Sequence, residues 1–512
     1  MIGVKTAHAF FALLRLHGHV GSVVEPAALP LTAPFLTPVS SYYLAMSFSD
    51  RIYQGAPRWM QSLLFNGYAL QLQLTRFGAD FRALLASWEE SQWWDAARLR
   101  AQQDDRVRAI VHFAGAHVPF YARLWSEHGV VVSQVQGVSD LWRLPTITKA
   151  DIRGAGERML SVPSGKLAHG HTSGTTGSPL SLWYDRDMVV ANNVADWRQK
   201  RWGGLELGDW CAMFLGRVVV PVNEQHPPFW RSNHVQKQLW CSSFHLSEKN
   251  LPLYVAEIRR RGIRFLEGYP STMYILASFL LRKGELLPMR AVFTSSETLH
   301  ALQREAFEAA FGCPVFDFYG HAERVIFAGE CDRHGGKHLY DEYGVTEIID
   351  DDGRPVPDDR PGMLTGTTLW NRGMPIIRYR TGDVSVRSRA ECDCGRGLRR
   401  LADVATKAED IIVTPDGRFV SPSVLTHPFK PFDQLLKSQI IQDAPDHVLV
   451  KLVPSAAFTE VHRQQLVAGL RQRLGEAMRI ETMIVDQIPA ERSGKFRWVI
   501  CRLPHACQVD WE

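Results

Sequence analysis

Four groups of side chains in this sequence have types and spacings that could do chemistry. The first is His171-Thr172-Ser173-Gly174-Thr175-Thr176-Gly177-Ser178-Pro179. So much Gly and hydroxyl holds neither a helix nor a packed strand, so the stretch is a loop. Its glycines let backbone N–H groups converge, and the hydroxyls add donors without bulk, which suits a polyphosphate. It is not a Walker A loop, because no Gly-Lys-Ser/Thr follows and Leu180 to Tyr184 reads as a strand. Taken alone, it reads as a Ser/Gly-rich surface linker.

The second group is a pair of acids, each at the end of a strand. Glu323 closes Tyr319-Gly320-His321-Ala322-Glu323, where a carboxylate suits Mg²⁺, an ion that takes one or two carboxylates plus phosphate oxygens. Asp383 closes Tyr379-Arg380-Thr381-Gly382-Asp383, and a carboxylate there can accept from both hydroxyls of a ribose. Standing alone, Glu323 is a solvated acid and Asp383 a turn residue. The third group centres on Lys495, in Glu491-Arg492-Ser493-Gly494-Lys495-Phe496-Arg497, a mobile cation on a Gly-containing loop. The fourth comprises Cys331, His334, His338, Cys392 and Cys394. Three thiols and two imidazoles in Gly-containing loops exceed the four ligands of a closed tetrahedral Zn²⁺ site; reduced thiols that bind nothing are the alternative.

The elements that must position these groups alternate. Met188 to Arg201, Leu253 to Arg261, Thr272 to Lys283 and Leu302 to Phe311 carry helical periodicity. Strands are expected at Trp210 to Leu215 and Val315 to Gly320, with Arg264 to Pro270 ending a strand in a turn and Arg290 to Glu297 a buried strand running into a polar turn, so the acids and hydroxyls fall at strand C-termini. Ser47 to Ala116 reads as helical, with Trp88, Trp93 and Trp94 serving packing, and Thr148 as a helix cap. Tyr340 to Val386 turns β-rich. A smaller α+β unit follows, with a hairpin turn at Asp416-Gly417 and a helix over Thr459 to Leu474. The fold class expected is thus α/β: a large N-terminal domain with mostly parallel sheets and a β-rich subdomain, then a small mobile C-terminal domain. The boundaries expected are an arm at 1–46, a main domain at 47–406 and a small domain at 407–512.

Composition narrows the function. The 512 residues exceed one core, and 45% hydrophobic with 22% charged residues is ordinary for a soluble globular protein. A net charge of +4 leaves no footprint of nucleic-acid binding, and no apolar run has membrane-spanning length. Ala7 to Leu14, broken by His8 and followed by Arg15, reads as no signal peptide, so a cytoplasmic location is expected. Residues 1–45 are either a mobile arm or lie upstream of a start at Met46. Eight unevenly spaced Cys make no disulfide framework; Cys211, Cys241, Cys313, Cys501 and Cys507 read as ordinary core or surface cysteines.

Taken together, the glycine loop, Tyr-Gly-x-x-Glu, Tyr-Arg-Thr-Gly-Asp and the late Ser-Gly-Lys resemble the adenylate-forming superfamily of acyl-CoA synthetases and luciferases. Within it the chain is most similar to phenylacetate–coenzyme A ligase-like proteins, especially the branch found with bacterial surface-polysaccharide genes. Pro227 to Arg231 and Glu267 to Ser271 share features of that branch. The resemblance implies that a carboxylate attacks the α-phosphate of MgATP, giving an acyl-adenylate that coenzyme A or an amine then consumes. It implies that Thr172, Ser173, Gly174, Thr175, Thr176 and Gly177 hold phosphates, and that Glu323 holds Mg²⁺ and Asp383 the ribose. Ser295, Ser296, Glu297, Tyr319 and Gly320 would border the adenine. Lys495, Glu323 and Thr175 are the catalytic residues implied, with Lys495 countering charge on the α-phosphate. Tyr269, His321, Phe229 and Trp230 would line the acyl pocket. A domain hinge falls near Lys407 to Asp410, with Lys407 replacing an Arg fork that touches nucleotide. Relatives carry a similar Cys/His pattern, which favours structural zinc on Cys331, His338, Cys392 and Cys394, with His334 the substitute. Leu180 stands where the superfamily often has Lys. With Lys407, it is the support for an alternative, a nucleotide-binding assembly protein without chemistry. The oligomeric state, monomer or homodimer, is open.

Overall fold

Between Phe265 and Gly320 three short strands alternate with helices, and apolar cores lie on both sides of them. A computed structural model describes residues 53–172, 180–402, 404, 411–420, 422–429, 431–432, 434–488 and 497–503. The expectations on the N-terminal arm, Ser173 to Gly177, Lys407 with its hinge, and Lys495 lie outside these residues.

In chain order, Ala168–His171 (β1) and Ser181–Tyr184 (β2) pair antiparallel on either side of the glycine loop. Cys211–Phe214 (β3), Trp230–Asn233 (β4), Gln238–Cys241 (β5), Phe265–Gly268 (β6), Ala291–Ser295 (β7) and Val315–Gly320 (β8) follow. Then come Phe327–Glu330 (β9), Lys337–Leu339 (β10), Gly344–Ile349 (β11), Pro361–Thr368 (β12), Tyr379–Ser388 (β13) and Arg400–Leu401 (β14). Among the described residues, β3 to β14 form one sheet in the order β11-β12-β13-β14-β10-β9-β8-β7-β6-β3-β5-β4. The run β5-β3-β6-β7-β8 is parallel. From β9 to β11 every pairing is antiparallel, so the β-rich subdomain continues the parallel sheet instead of standing beside it. The architecture is the expected mixed α/β one.

Helices Arg186–Trp202, Leu251–Arg260, Pro270–Arg282 and Ala301–Phe311 flank the parallel strands and coincide with the periodic segments. One core, including Phe293, Phe316, Val325, Tyr340 and Ile376, lies on one side of the sheet; a second, including Phe214, Leu266, Met273 and Val292, lies on the other. Alternate residues of β6 face opposite cores (Phe265 one, Leu266 the other), as the two-residue strand period requires. The first core encloses a salt bridge: Arg198 spans both oxygens of Glu342 at 2.8 and 3.2 Å, with both side chains at most 1% exposed. Thr148 caps Lys149–Ala155 as expected, and Asp151 completes a capping box with it. Trp88 is buried, whereas Trp93 is 54% exposed.

The last part of the chain builds a four-stranded sheet from Leu435–Ala444 (β17), His447–Pro454 (β18), Arg479–Ile484 (β19) and Val499–Cys501 (β20), after the small hairpin Ile412–Val413 (β15) and Phe419–Val420 (β16). Its order is β19-β18-β17-β20. Helix Glu460–Leu474 crosses over between the parallel strands β18 and β19 and buries Leu466, Leu470 and Leu474. Arg418, 4% exposed, donates to the carbonyl of Leu474 at 3.1 Å within this part and to that of Phe244, in the turn after β5, at 2.7 Å. All described residues fall in one compact unit. Cys501 departs from expectation: it is disulfide-bonded. Cys211, Cys241, Cys313, Cys331, Cys392 and Cys394 are free. No helix among the described residues is long and apolar enough to cross a membrane.

Candidate active site

The C-terminal ends of β6, β7 and β8 lie on one edge of the sheet, and each runs directly into one of the stretches singled out by residue type. After β6 comes Tyr269-Pro270-Ser271, after β7 Ser296-Glu297, and after β8 His321-Ala322-Glu323. The ends of open parallel strands are where such sheets bind ligands, because the helix N-termini and loop N–H groups face outward there.

Two carboxylates and two tyrosines organise this edge by exchange. Tyr319 Oη donates to Asp383 Oδ2 at 2.8 Å, and Tyr379 Oη donates to Glu323 Oε1 at 2.7 Å. Each tyrosine precedes one acid by four residues and holds the other. Strands β8 and β13 are separated by β9, β10 and β14, a flat distance of about 19 Å at ~4.8 Å per strand. Hydrogen bonds across that separation require the antiparallel half to curl back over the parallel edge. Burial holds both phenols well above their ordinary pKa, and the facing carboxylates push them further, so both remain donors.

The surrounding contacts fix the rest. Glu323 is 8% exposed, and its Oε2 lies 3.5 Å from His321 Nδ1. The His321 ring stands edge-on to Tyr319 and Tyr379. Asp383 N donates to Thr381 Oγ1 at 3.1 Å. Tyr184 Oη donates to the Ala322 carbonyl at 2.6 Å, which pins the stem of the glycine loop beside Glu323. At that stem Thr172 N donates to the Leu180 carbonyl at 3.1 Å and Leu180 N to Thr172 Oγ1 at 2.9 Å. Leu180 itself is core, 3% exposed, so its apolar character serves packing. Three of the non-glycine residues with positive φ border the site: Ser296 (71°), Arg324 (55°) and Arg378 (54°). Each such residue costs on the order of 1–3 kcal/mol, strain that concentrates at functional sites. Arg378 is held there by both oxygens of Glu347, at 3.1 and 3.0 Å.

The remaining expected residues divide. Ser295 and Ser296 meet through their hydroxyls at 3.3 Å. Glu297 accepts from Ser271 N at 2.9 Å and Ser271 Oγ at 3.0 Å, so it braces the β6 and β7 loops together. His321 belongs to the carboxylate cluster. Phe229 is 2% exposed and stacked on His245. Trp230 packs on the second core beside Tyr254, and Tyr269 packs against the C-terminal core. Sequence reasoning gave Tyr379 no role; the signal was the repeated tyrosine four residues before an acid.

The four thiol and imidazole residues also come together, some distance along the antiparallel half. The ligand atoms of Cys331, His338, Cys392 and Cys394 all lie within 4.8 Å of one another. Cys331 Sγ is 3.7 Å from Cys392 Sγ, and Cys394 Sγ is 3.5 Å from His338 Nε2. A tetrahedral zinc with bonds of about 2.3 Å to sulfur and 2.0–2.1 Å to nitrogen has edges of about 3.8 and 3.5 Å. His338 Nδ1 lies 3.1 Å from the Leu398 carbonyl, a bond that fixes the tautomer leaving Nε2 as a ligand atom. His334 lies outside this set and faces Glu330 at 3.3 Å.

In fold, this sheet and the small C-terminal α+β domain are similar to those of a solved CoA ligase. A structure of 2-hydroxyisobutyryl-CoA ligase in complex with 2-HIB-AMP and CoA superposes with a TM-score of 0.53 at 21% identity, covering 80% of this chain and 91% of that one. The same ligase in an open conformation gives 0.51, covering 79% and 92%. Residues 412–502 match the family model described as the CapK C-terminal domain. "Protein CapK" of Staphylococcus aureus is 24% identical over 409 residues, 78% of this chain and 88% of that protein. The phenylacetate–coenzyme A ligase of Thermus thermophilus is 25% identical over 464 residues, 79% of this chain and 96% of that protein. The chain is thus a relative of the phenylacetate–coenzyme A ligases and of CapK.

Proposed function

We propose that this protein activates a carboxylic acid with ATP, forming an acyl-adenylate and pyrophosphate, and passes the acyl group to coenzyme A or an amine acceptor. Its proposed setting is surface-polysaccharide or secondary metabolism. The observation that carries this reading is the exchanged Tyr–carboxylate pair, which puts two acids from distant segments at one strand edge beside the glycine-loop stem. In this reading Asp383, oriented by Tyr319, accepts from the ribose hydroxyls. Each oxygen of Glu323 retains a lone pair beyond its described contacts, so the carboxylate fits Mg²⁺ together with phosphate oxygens. Bound Mg²⁺ would neutralise charge on the phosphates. The loop from Thr172 to Gly177 would cradle the β- and γ-phosphates, with Thr175 at the reacting end, and Ser295, Ser296 and Gly320 would border the base. Lys407 and Lys495 would approach from the C-terminal domain, Lys495 meeting the α-phosphate as the carboxylate attacks. In the second step the acceptor sulfur or nitrogen bonds to the acyl carbon and loses its proton, while AMP departs with the electron pair. The tetrahedral spacing of Cys331, His338, Cys392 and Cys394 supports a structural Zn²⁺ clamping the β9–β10 and post-β13 loops.

The test is carboxylate-dependent ATP–pyrophosphate exchange across a panel of aryl, fatty and amino acids. Lys495→Ala should lose exchange while ATP still binds. Unchanged exchange in that variant removes Lys495 from adenylation. ATP binding without pyrophosphate release for any acid would leave the assembly-protein reading instead.

A further inference from the structure

Helix Arg58–Arg76 lies on the surface with an apolar face turned away from the protein. Gln61, Ala69 and Leu72 face inward and are buried, while Trp59 is 67% exposed, Leu63 59%, Leu70 50% and Leu74 73%. At 100° per residue these four fall within an arc of about 60°, one narrow outward stripe. From Trp59 to Thr75 the helix carries no charged residue. A helix surface meant for water carries its charged and polar residues on the outer face.

The stripe is its own complement. Reversed about the point between Asn66 and Gly67, position 59 falls on 74 and position 63 on 70, so Trp59 meets Leu74 and Leu63 meets Leu70. That is the pattern of an isologous contact, where one patch faces its own copy across a two-fold axis. A second feature sits at that midpoint. Gly67 occupies the helix interior, where glycine is a much poorer helix former than alanine. It is exposed, and a Cβ at this position would meet nothing within 4 Å among the described residues, so packing among them gives no reason for it. Asn66 turns its side chain inward to the Ser232 carbonyl and His234 N, which leaves Gly67 as the outward crossing point.

We infer that this stripe is the contact between two copies of the chain, with the helices packed antiparallel and crossing at Gly67. The exposed parts of the four side chains amount to roughly 500 Å² per copy, or about 1,000 Å² for the pair, the lower bound for a specific interface. A lipid surface fits less well, because interfacial helices carry several basic residues on the polar face. Here the helix has Arg58 and Arg76 alone, and Arg58 pairs with Glu224 at 3.2 Å.

Sedimentation velocity of the full chain over a concentration series tests this. A dimer is expected at micromolar protein. Leu63→Glu/Leu70→Glu should weaken it by about 100-fold or more, with melting temperature and pyrophosphate exchange unchanged. The register has its own test: on oxidation, Leu63→Cys/Leu70→Cys should give an inter-copy disulfide above the wild-type background, and Leu63→Cys alone should not. A monomer throughout the series would overturn the inference, as would a dimer indifferent to both glutamates. So would a monomer that co-floats with anionic vesicles through Leu63 and Leu70, or cross-linking by Leu63→Cys alone.

Discussion

Tyr379→Phe isolates the exchanged hydrogen bond with little else disturbed. The ring volume is kept, so no cavity opens at a side chain that is 3% exposed. What is lost is one O–H donor, 2.7 Å from Glu323 Oε1. Hydrogen bonds to charged groups contribute about 1.5–3 kcal/mol, and Glu323, at 8% exposure, has little water to replace the donor. If Glu323 holds Mg²⁺ for the nucleotide, that loss converts to roughly a 12- to 150-fold fall in kcat/KM for MgATP-dependent exchange, at 1.4 kcal/mol per tenfold. The Mg²⁺ concentration for half-maximal exchange should rise as well, because the carboxylate is no longer aimed. The melting temperature should move by only a few degrees. Tyr319→Phe should instead act on nucleotide affinity through Asp383. Because the two bonds close one curl of the sheet, the double variant should cost less than the sum of the singles. Exchange and Mg²⁺ dependence within twofold of wild type for Tyr379→Phe would refute this reasoning.

Acidification should separate a second contribution. Burial, reinforced by the nearby positive charge of Arg418, lowers His245 from 6.5 to about 4, so it adds stability above pH 6.5 that is lost as pH falls toward 4. His245→Gln should therefore lose about 2 kcal/mol less than wild type between pH 7 and pH 5, read from urea midpoints. Comparing slopes matters, because Asp317, raised by burial from 3.8 to about 6, runs the other way: it favours folding below pH 4 and loses that contribution as pH rises through 6. The purified chain should carry one zinc, measured by plasma emission. Its removal, or Cys394→Ser, should lower the melting temperature by several degrees; a metal-free chain with normal melting would exclude the site. Glu342→Gln should cost about 3–5 kcal/mol in denaturant, because it leaves the Arg198 charge uncompensated at 0% exposure.

Much of this architecture was legible because local signals agreed with one another. Leu253 to Arg261 and Thr272 to Lys283 are helices to within two residues at either end, since apolar periodicity, Pro at the first turn and basic residues at the last coincide. The Asp416-Gly417 turn stands where expected, with Gly417 at φ 75°. Four metal-type ligands were named from spacing and resemblance, and they converge. What sequence could not give was which side chains meet across the sheet. The stacking of Phe229 on His245, for instance, joins two residues sixteen apart that no local pattern links. The extent of the parallel block was hidden too, because short strands such as Phe327–Glu330 and Lys337–Leu339 carry no mark of their direction.

The exchange of tyrosines has a geometric cause. Tyr379 and Asp383 flank an irregularity in β13, where the register against β12 shifts and Gly382 takes φ 85°, and Asp383 is held by Tyr319 from β8. Each acid is satisfied from another segment, where it would otherwise be left buried or half-buried beside a phenol that also lacks a partner. The curl of the sheet solves both problems at once, since bringing β13 over β8 pairs Tyr319 with Asp383 and Tyr379 with Glu323 in one movement. Neither bond can form without the approach that forms the other. The carboxylates are therefore placed by the closure of the sheet, and a substitution that opens the curl, even far from either acid, should disturb both together.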